Sequence, residues 1–532
     1  MAKKMFEGLK IVDFTTVIAG PFITKTLAAY GAEVIKVESR TRPDLWRGEM
    51  FGKGKKGMMA MMGLGTEPMK PFNPWMNTSA QFGYWNTGKM SLAVDLAKPE
   101  GIGLVKKLVA RADIVLENFA GGVGKRMGLG YEDLKQVKPD IIMLSSCMQG
   151  QTGPHAEHPG YGTQLVNLVG LSGISGWPDR DPAAIGAYTD YVVPHLSILA
   201  LMAALDYRRR TGQGQYIDQS QYESAVHLMT PLVLDSQANS RESLRVGNRY
   251  PHAVPHNAYP CKPTHADRFL SIGIYTDQEW QSFCKIMGNP AWTKDPKFAT
   301  LNARRQNEKE LDDLVEAWTM QFLPEDLEKR LQNADESIPS AVVKSKEEFY
   351  GRTPAIKGRS PYAAPHGAYR CRHEDRWCVI AVFNDAQWES FCRVLGDPPW
   401  TKEGRFASFA ARKDHEEDLD HLIGAWTKGY SPESVMEMMQ AGGVPAGIVS
   451  TGEDIMELDP QLRHRHFYRT LDHPEIGEGT YRGSTPSFIF SKCPCDVGRA
   501  PLMGEHNEYI LKEILGMKDD EVQALIDAEV LN

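Results

Sequence analysis

One stretch of this chain returns 108 positions further on, so any fold for it must contain the same small module twice. Trp280, Ser282, Phe283, Cys284, Gly288, Pro290, Trp292, Thr293, Lys294, Phe298, Ala299, Ala303 and Arg304 recur as Trp388, Ser390, Phe391, Cys392, Gly396, Pro398, Trp400, Thr401, Lys402, Phe406, Ala407, Ala411 and Arg412. Leu311, Asp312, Leu314, Ala317, Trp318 and Thr319 recur as Leu419, Asp420, Leu422, Ala425, Trp426 and Thr427. Upstream of both, Pro255-His256-Asn257-Ala258-Tyr259-Pro260-Cys261 returns as Pro365-His366-Gly367-Ala368-Tyr369-Arg370-Cys371. The unit is a whole α+β module of roughly 100 residues, and two copies are too few for a solenoid. Its paired tryptophans and cysteines are expected in the core of each copy, as scaffold rather than chemistry.

The first 150 residues read differently. Short apolar strands alternate with amphipathic helices: Leu9 to Phe14, a Gly20-Pro21 turn, a helix through Leu27 to Tyr30, then Glu33 to Glu38. The pattern continues with a helix from Pro99 to about Arg111, a strand Ile114 to Glu117, a helix around Tyr131 to Val137 and a strand Ile141 to Leu144. Repeated β-α-β units predict a parallel, Rossmann-like sheet. The first turn, Thr15-Thr16-Val17-Ile18-Ala19-Gly20-Pro21, lacks GxGxxG, which argues against a nicotinamide or flavin dinucleotide. The turn Glu117-Asn118-Phe119-Ala120-Gly121-Gly122 is a candidate phosphate cradle, because backbone N–H groups at strand ends can hold anions.

At 532 residues the chain is long enough for three or four units of roughly 150 residues, or fewer large ones. Its 60 Lys and Arg against 68 Asp and Glu give a formal charge of -8, which offers no net attraction to nucleic acid or an anionic membrane. Local basic patches for a phosphorylated small molecule remain possible. The longest strongly apolar helical run, near Leu196 to Leu205, is too short to span a bilayer, and Met1 to Gly8 has no apolar h-region after its charges. A cytoplasmic protein is expected. The eight cysteines show no CxxC pair, so reduced thiols and no metal site are expected, Cys493-Pro494-Cys495 being too closely spaced for a zinc knuckle. Between Gly48 and Met76, seven methionines lie among glycines and lysines, which suits either a lid over an acyl group or a surface loop or subunit contact.

Asp190 heads an apolar run, Tyr191-Val192-Val193-Pro194-His195-Leu196. Leu196, Leu199, Ala200, Ala203, Ala204 and Tyr207 fall at helical spacing, and Pro194 is expected in the first turn, which puts Asp190 at the helix N-terminus. The helix should end at Arg208-Arg209-Arg210-Thr211-Gly212, where cations and a glycine suit a C-terminus. Taken alone, Asp190 is either an N-cap or an unpaired carboxylate able to act as a nucleophile.

Several stretches together resemble the class III CoA-transferases (the CaiB/BaiF family), which include formyl-CoA and carnitine CoA-transferases and the related α-methylacyl-CoA racemases. The resemblance rests on Gly8 to Phe14 with Ala19-Gly20-Pro21, Gly31 to Glu38, Glu117-Asn118-Phe119 followed by Arg126 to Tyr131, Gly150 to Pro154, Arg210 to Asp218, Ala441 to Gly447 and Gly504-Glu505-His506. It spans nearly the whole chain and implies an α/β fold: a Rossmann-like large domain at 1–228, a small α+β domain, and a C-terminal segment at 466–532 returning to the large domain. It implies also an interlocked homodimer of two threaded rings. Here the small domain is doubled, as copies at 229–362 and 363–465, so the chain departs from the family by an insertion of about 110 residues. Which copy borders the active site stays open.

In the family the nucleophilic aspartate precedes a long apolar helix, and Asp190 occupies that place. The resemblance implies CoA transfer from an acyl-CoA donor to a carboxylic acid through an acyl-aspartyl anhydride and an aspartyl-CoA thioester, with coenzyme A as substrate and no tightly bound cofactor. It points to Val17, Ala19, Asn118, Phe119, Arg126 and Met127 for CoA, with Arg126 as phosphate partner, and to Tyr161 as an active-site tyrosine able to donate to the carbonyl oxygen. Racemases carry a histidine near that place. His155, His158 and His195 therefore keep an acyl-CoA racemase as the alternative, and a non-catalytic CoA-binding subunit is a third.

Overall fold

The computed structural model describes residues 4–47, 76–178, 181–183, 185–250, 252–262, 269–332, 338–343, 363–373, 376–476 and 480–531. The methionine-rich stretch expected to be a lid or loop lies, except for Met76, outside these residues. The chain divides into two compact units, one of residues 1–175, 182–244 and 454–532, the other of 176–181 and 245–453.

The first unit is built on β1 (Lys10–Asp13), α1 (Ala19–Ala29), β2 (Glu33–Glu38), α2 (Ala80–Trp85), β3 (Met90–Ala93), α3 (Pro99–Val109), β4 (Ile114–Glu117), α4 (Val123–Arg126), α5 (Tyr131–Val137), β5 (Ile142–Cys147), α6 (Gly162–Val169), α7 (Thr189–Thr211) and β6 (Tyr216–Ser220). The strands form one all-parallel sheet in the order β3-β2-β1-β4-β5-β6. Neighbouring residues of each strand serve opposite faces. Val12, Val115 and Met143 join one core with Leu104 and Leu108 of α3, while Ile11, Ile114 and Ile142 join another with Ile23 and Leu27 of α1 and Leu201 of α7. Burial on both faces is why these strands read as near-continuous apolar runs.

The chain's last segment completes this unit, because Ile510, Leu511, Ile514 and Val530 belong to the same core as Val12. In such a sheet ligands bind where strand order reverses, outside the carboxyl ends of β1 and β4. At that point the β1–α1 turn and the Glu117-Asn118 turn face each other.

One expectation is corrected in α7. The helix begins at Thr189, so Pro194 is its sixth residue and lies beyond the first turn. The helix starts early because its first turn is drawn tight, the amides of Asp190 and Tyr191 bonding three residues back to the carbonyls of Ala187 and Tyr188. Lacking an N–H, Pro194 leaves the Asp190 carbonyl without its helical donor. The C-terminus is as expected, with Gly212 at φ +73° and its N–H on the Arg208 carbonyl.

The second unit holds both copies of the module. The first pairs β7 (His256–Pro260), β8 (Phe269–Gly273) and β9 (Ser340–Val343) antiparallel, and the second pairs β10 (His366–Arg370), β11 (Trp377–Ala381) and β12 (Ala446–Ile448) likewise. Trp280, Cys284, Trp388 and Cys392 are buried core residues, as expected of scaffold. The likeness reaches single bonds: Tyr259 donates to Asp312 and Tyr369 to Asp420, and Thr319 and Thr427 each bond a strand carbonyl at 2.8 Å.

Each copy also seals one arginine in its core. Arg304 donates to the Val254 and Phe298 carbonyls and stacks 4.8 Å over the Trp280 ring, while Arg412 donates to Ala364 and Phe406 and stacks 4.6 Å over Trp388. Arg412→Met would strand those buried carbonyls and cost about 3 kcal/mol, measurable as a lowered denaturation midpoint.

Candidate active site

Asp190 is the second residue of α7, 7% exposed, and its carboxyl receives no hydrogen bond from the described residues. It is therefore no N-cap: that position belongs to Tyr188. Burial alone pushes the Asp190 carboxyl up to about 7 from an ordinary 3.8.

Gly162, the first residue of α6, lies directly against this carboxyl. A Cβ there would stand 2.6 Å from the Asp190 carboxyl carbon. Two helix starts thus meet at one carboxyl, and their amide ends favour negative charge there.

A cavity of about 80 Å³ opens beside Asp190, and Val17, Ala19, Asn118 and Tyr161 are among the residues lining it, together with Cys147, Met148 and Gln221. Five expected site residues, Asp190 included, share this one cavity. Tyr161, next to Gly162, is 42% exposed, which leaves its hydroxyl accessible to an entering substrate. None of the expected histidines lines the cavity: His155 stacks on His158, and His195 packs on Phe22.

Phe119, Arg126 and Met127 do not line it. Phe119 and Met127 pack against the sheet core, and Arg126, on the short α4, pairs with Glu157 at 3.5 Å with its head largely in solvent. The expected phosphate cradle is corrected as well, because three of its amides are already bonded. Phe119 N–H donates to Glu117 at 2.6 Å, Gly121 to the Ala156 carbonyl at 2.8 Å and Gly122 to Gln151 at 3.1 Å.

The β1–α1 turn is held from three sides. Asn118 accepts from Thr16 N–H and donates to the Thr16 carbonyl, both at 2.9 Å, which ties the two turns across the strand-order reversal. Lys36 donates to the Thr15 carbonyl at 2.6 Å and pairs with Asp44 at 2.9 Å. Asp44 in turn accepts Val17 N–H at 3.2 Å.

Val17 needs that grip. It is β-branched at φ +70°, a conformation that such a residue keeps only when its surroundings impose it. Below the turn, buried Asp13 pairs with buried Lys89 at 3.0 Å, which with Lys36 holds the Asp13 carboxyl below its ordinary range despite burial. Sequence reasoning missed this charge network and Gly162. The signal for the network was available: Lys36 and Glu38 interrupt an apolar run in a strand buried on both faces.

Among the described residues no cluster of three or more His, Cys, Asp or Glu could hold a metal, all eight cysteines are free, and no helix is long and apolar enough to cross a membrane. What the site offers is a buried carboxyl with no counter-cation among the described residues, helix amides and a tyrosine.

The family model described as CoA-transferase family III matches residues 6–357 and again 349–507. The chain belongs to CoA-transferase family III. The second match takes in the second module, as a duplicated small domain requires.

The transferase is 33% identical over 344 residues to the succinyl-CoA–D-citramalate CoA-transferase of Chloroflexus aurantiacus, covering 64% of this chain and 79% of that one. It is 36% identical over 316 residues to the succinyl-CoA:glutarate CoA-transferase of Mus musculus, covering 59% and 66%. With the succinyl-CoA:glutarate CoA-transferase of Homo sapiens the identity is 26% over 532 residues, covering 99% and 90%. The crystal structure of a CaiB/BaiF family protein from Brucella suis shares the fold, with TM-score 0.59 and 24% identity over 96% of this chain and 100% of that one.

Proposed function

We propose that the transferase moves CoA between small carboxylic acids through covalent intermediates on Asp190, with succinyl-CoA as donor and a dicarboxylic acid as acceptor, in keeping with the named relatives. The observation that carries the reading is the Asp190 carboxyl itself: buried, without a counter-cation among the described residues, and set where two helix starts converge beside a cavity. A paired or solvated carboxylate would be a poorer nucleophile.

An Asp190 oxygen attacks the donor thioester carbonyl, the C–S bond breaks, and CoA leaves as thiolate. The thiolate attacks the aspartyl carbonyl of the resulting anhydride, releasing the donor acid and forming aspartyl-CoA. The acceptor carboxylate then attacks that carbonyl and expels the thiolate. Attack of the thiolate on the new acyl group frees Asp190 and the new acyl-CoA, with no net proton or redox change.

Each addition places charge on a carbonyl oxygen, which Tyr161 and the helix amides would stabilise, while burial keeps water from the anhydride. Val17, Ala19 and Asn118 would hold CoA in the cavity wall, with Phe119 and Met127 behind them and Arg126 outside for a phosphate. We place the protein in the cytoplasm as a homodimer, consistent with apolar side chains left exposed on α6 and α7, among them Leu168 and Leu199.

Hydroxylamine added with succinyl-CoA should convert Asp190 to its hydroxamate, read by peptide mass; labelling elsewhere or nowhere refutes the reading. Because the ionised carboxylate is the nucleophile, the donor kcat/KM should fall about tenfold per pH unit below about 7 and level off above it. A flat profile between pH 5 and pH 7, measured by initial rates, would contradict the site's electrostatics.

A further inference from the structure

Lys25 of α1 is 6% exposed, yet no carboxylate among the described residues pairs with it. Its Nζ donates to the Ser484 hydroxyl at 3.1 Å and lies 3.9 Å over the Tyr84 ring and 5.5 Å from the centre of the Trp85 ring. Ring faces and one hydroxyl recover only a fraction of the hydration that a buried ammonium gives up. Burial and the nearby Lys89 together push Lys25 down to about 7, the direction expected of a cation that lacks its anion.

A second donor in the same cluster is also unspent, for the Trp85 indole N–H is buried and meets no acceptor among the described residues. Trp85 packs 5.7 Å from the Tyr191 ring, and Tyr191 follows Asp190 in α7. A buried ammonium with a hydroxyl but no carboxylate among the described residues, beside a buried indole N–H with no acceptor among them, in an aromatic cluster that reaches the residue after Asp190, suits an anion.

We propose that the Lys25 ammonium and the Trp85 indole N–H form the subsite for the second carboxylate of a dicarboxylic acyl group, and thereby select diacids over monoacids of equal length. The assignment rests on Asp190 being the nucleophile, and it names the residues that would choose the acid.

The test compares glutaryl-CoA with valeryl-CoA, which share a chain length and differ in the terminal carboxylate, by the rate at which each labels Asp190 in hydroxylamine. The native protein should favour glutaryl-CoA, and Lys25→Met should cut that preference about 30-fold, leaving the valeryl-CoA rate within about twofold. Lys25→Arg should restore most of it. Trp85→Phe, which keeps the ring and removes only the N–H, should cut it about fivefold and carries the test if Lys25→Met does not fold.

Equal labelling by both donors in the native protein overturns the subsite, as does an unchanged preference in Lys25→Met or, failing that, in Trp85→Phe. If neither donor labels Asp190, the covalent reading itself falls, and the subsite with it.

Discussion

Asp190→Asn should lower CoA transfer by at least about 10³-fold, abolish the hydroxylamine adduct and leave CoA binding intact. An amide matches the carboxylate in shape, so the cavity and the Gly162 contact survive while the proposed nucleophile is lost. The same substitution should stabilise the fold. In the wild type the folded carboxyl holds its proton to about 7, whereas the unfolded chain releases it near 3.8. The unfolded state thus binds fewer protons across that window, and wild-type stability falls as pH rises through it. Asparagine has nothing to ionise, so its advantage should grow from about pH 4 to about pH 7 and then stay level. Paired denaturant melts at pH 4.5 and pH 8 would show it, and an Asn variant less stable than wild type at pH 8 would mean that the folded protein holds the carboxylate with a hydrogen bond or a cation.

Gly162→Ala should be nearly as damaging to activity and close to neutral for the fold. Its methyl would lie 2.6 Å from the Asp190 carboxyl carbon and 2.7 Å from one of its oxygens, closer than unbonded atoms approach. Either Asp190 rotates off its attack line or α6 shifts and takes Tyr161 with it. A displacement of about 1 Å at the reacting atoms costs about 10² in kcat. Steady-state kinetics should show kcat falling much more than KM for the donor rises. A kcat within twofold of wild type would mean that the carboxyl does not sit against α6 when substrate is bound.

The duplication, the parallel sheet and the long helix at Asp190 were legible because each rests on a pattern written along the chain: a repeat that can be aligned, strands buried on both faces, and a helix with a glycine stop. By its local pattern alone Asp190 read as either cap or nucleophile, and the family resemblance favoured the nucleophile; the structure excludes the cap, because Tyr188 holds that position and no amide among the described residues bonds the carboxyl. The glycine-rich turn misled in the other direction, since composition showed donors but not that Glu117, Ala156 and Gln151 already use three of them. Pro194 was misplaced by one turn because a tight first turn is a matter of backbone bonding, not of residue type.

The sequence by itself determined which elements form, because periodicity acts within reach of neighbouring residues, and that one small module is built twice, because a repeat shows when the chain is aligned with itself. Only the tertiary structure decided that Gly162 abuts Asp190, that Asp44, Lys36 and Asn118 hold Val17 in a strained turn, and that among the described residues buried Lys25 meets no carboxylate and the Trp85 indole no acceptor. Those facts join residues far apart in the chain, and whether a buried charge is neutralised depends on which side chains the fold brings within a few ångströms of it.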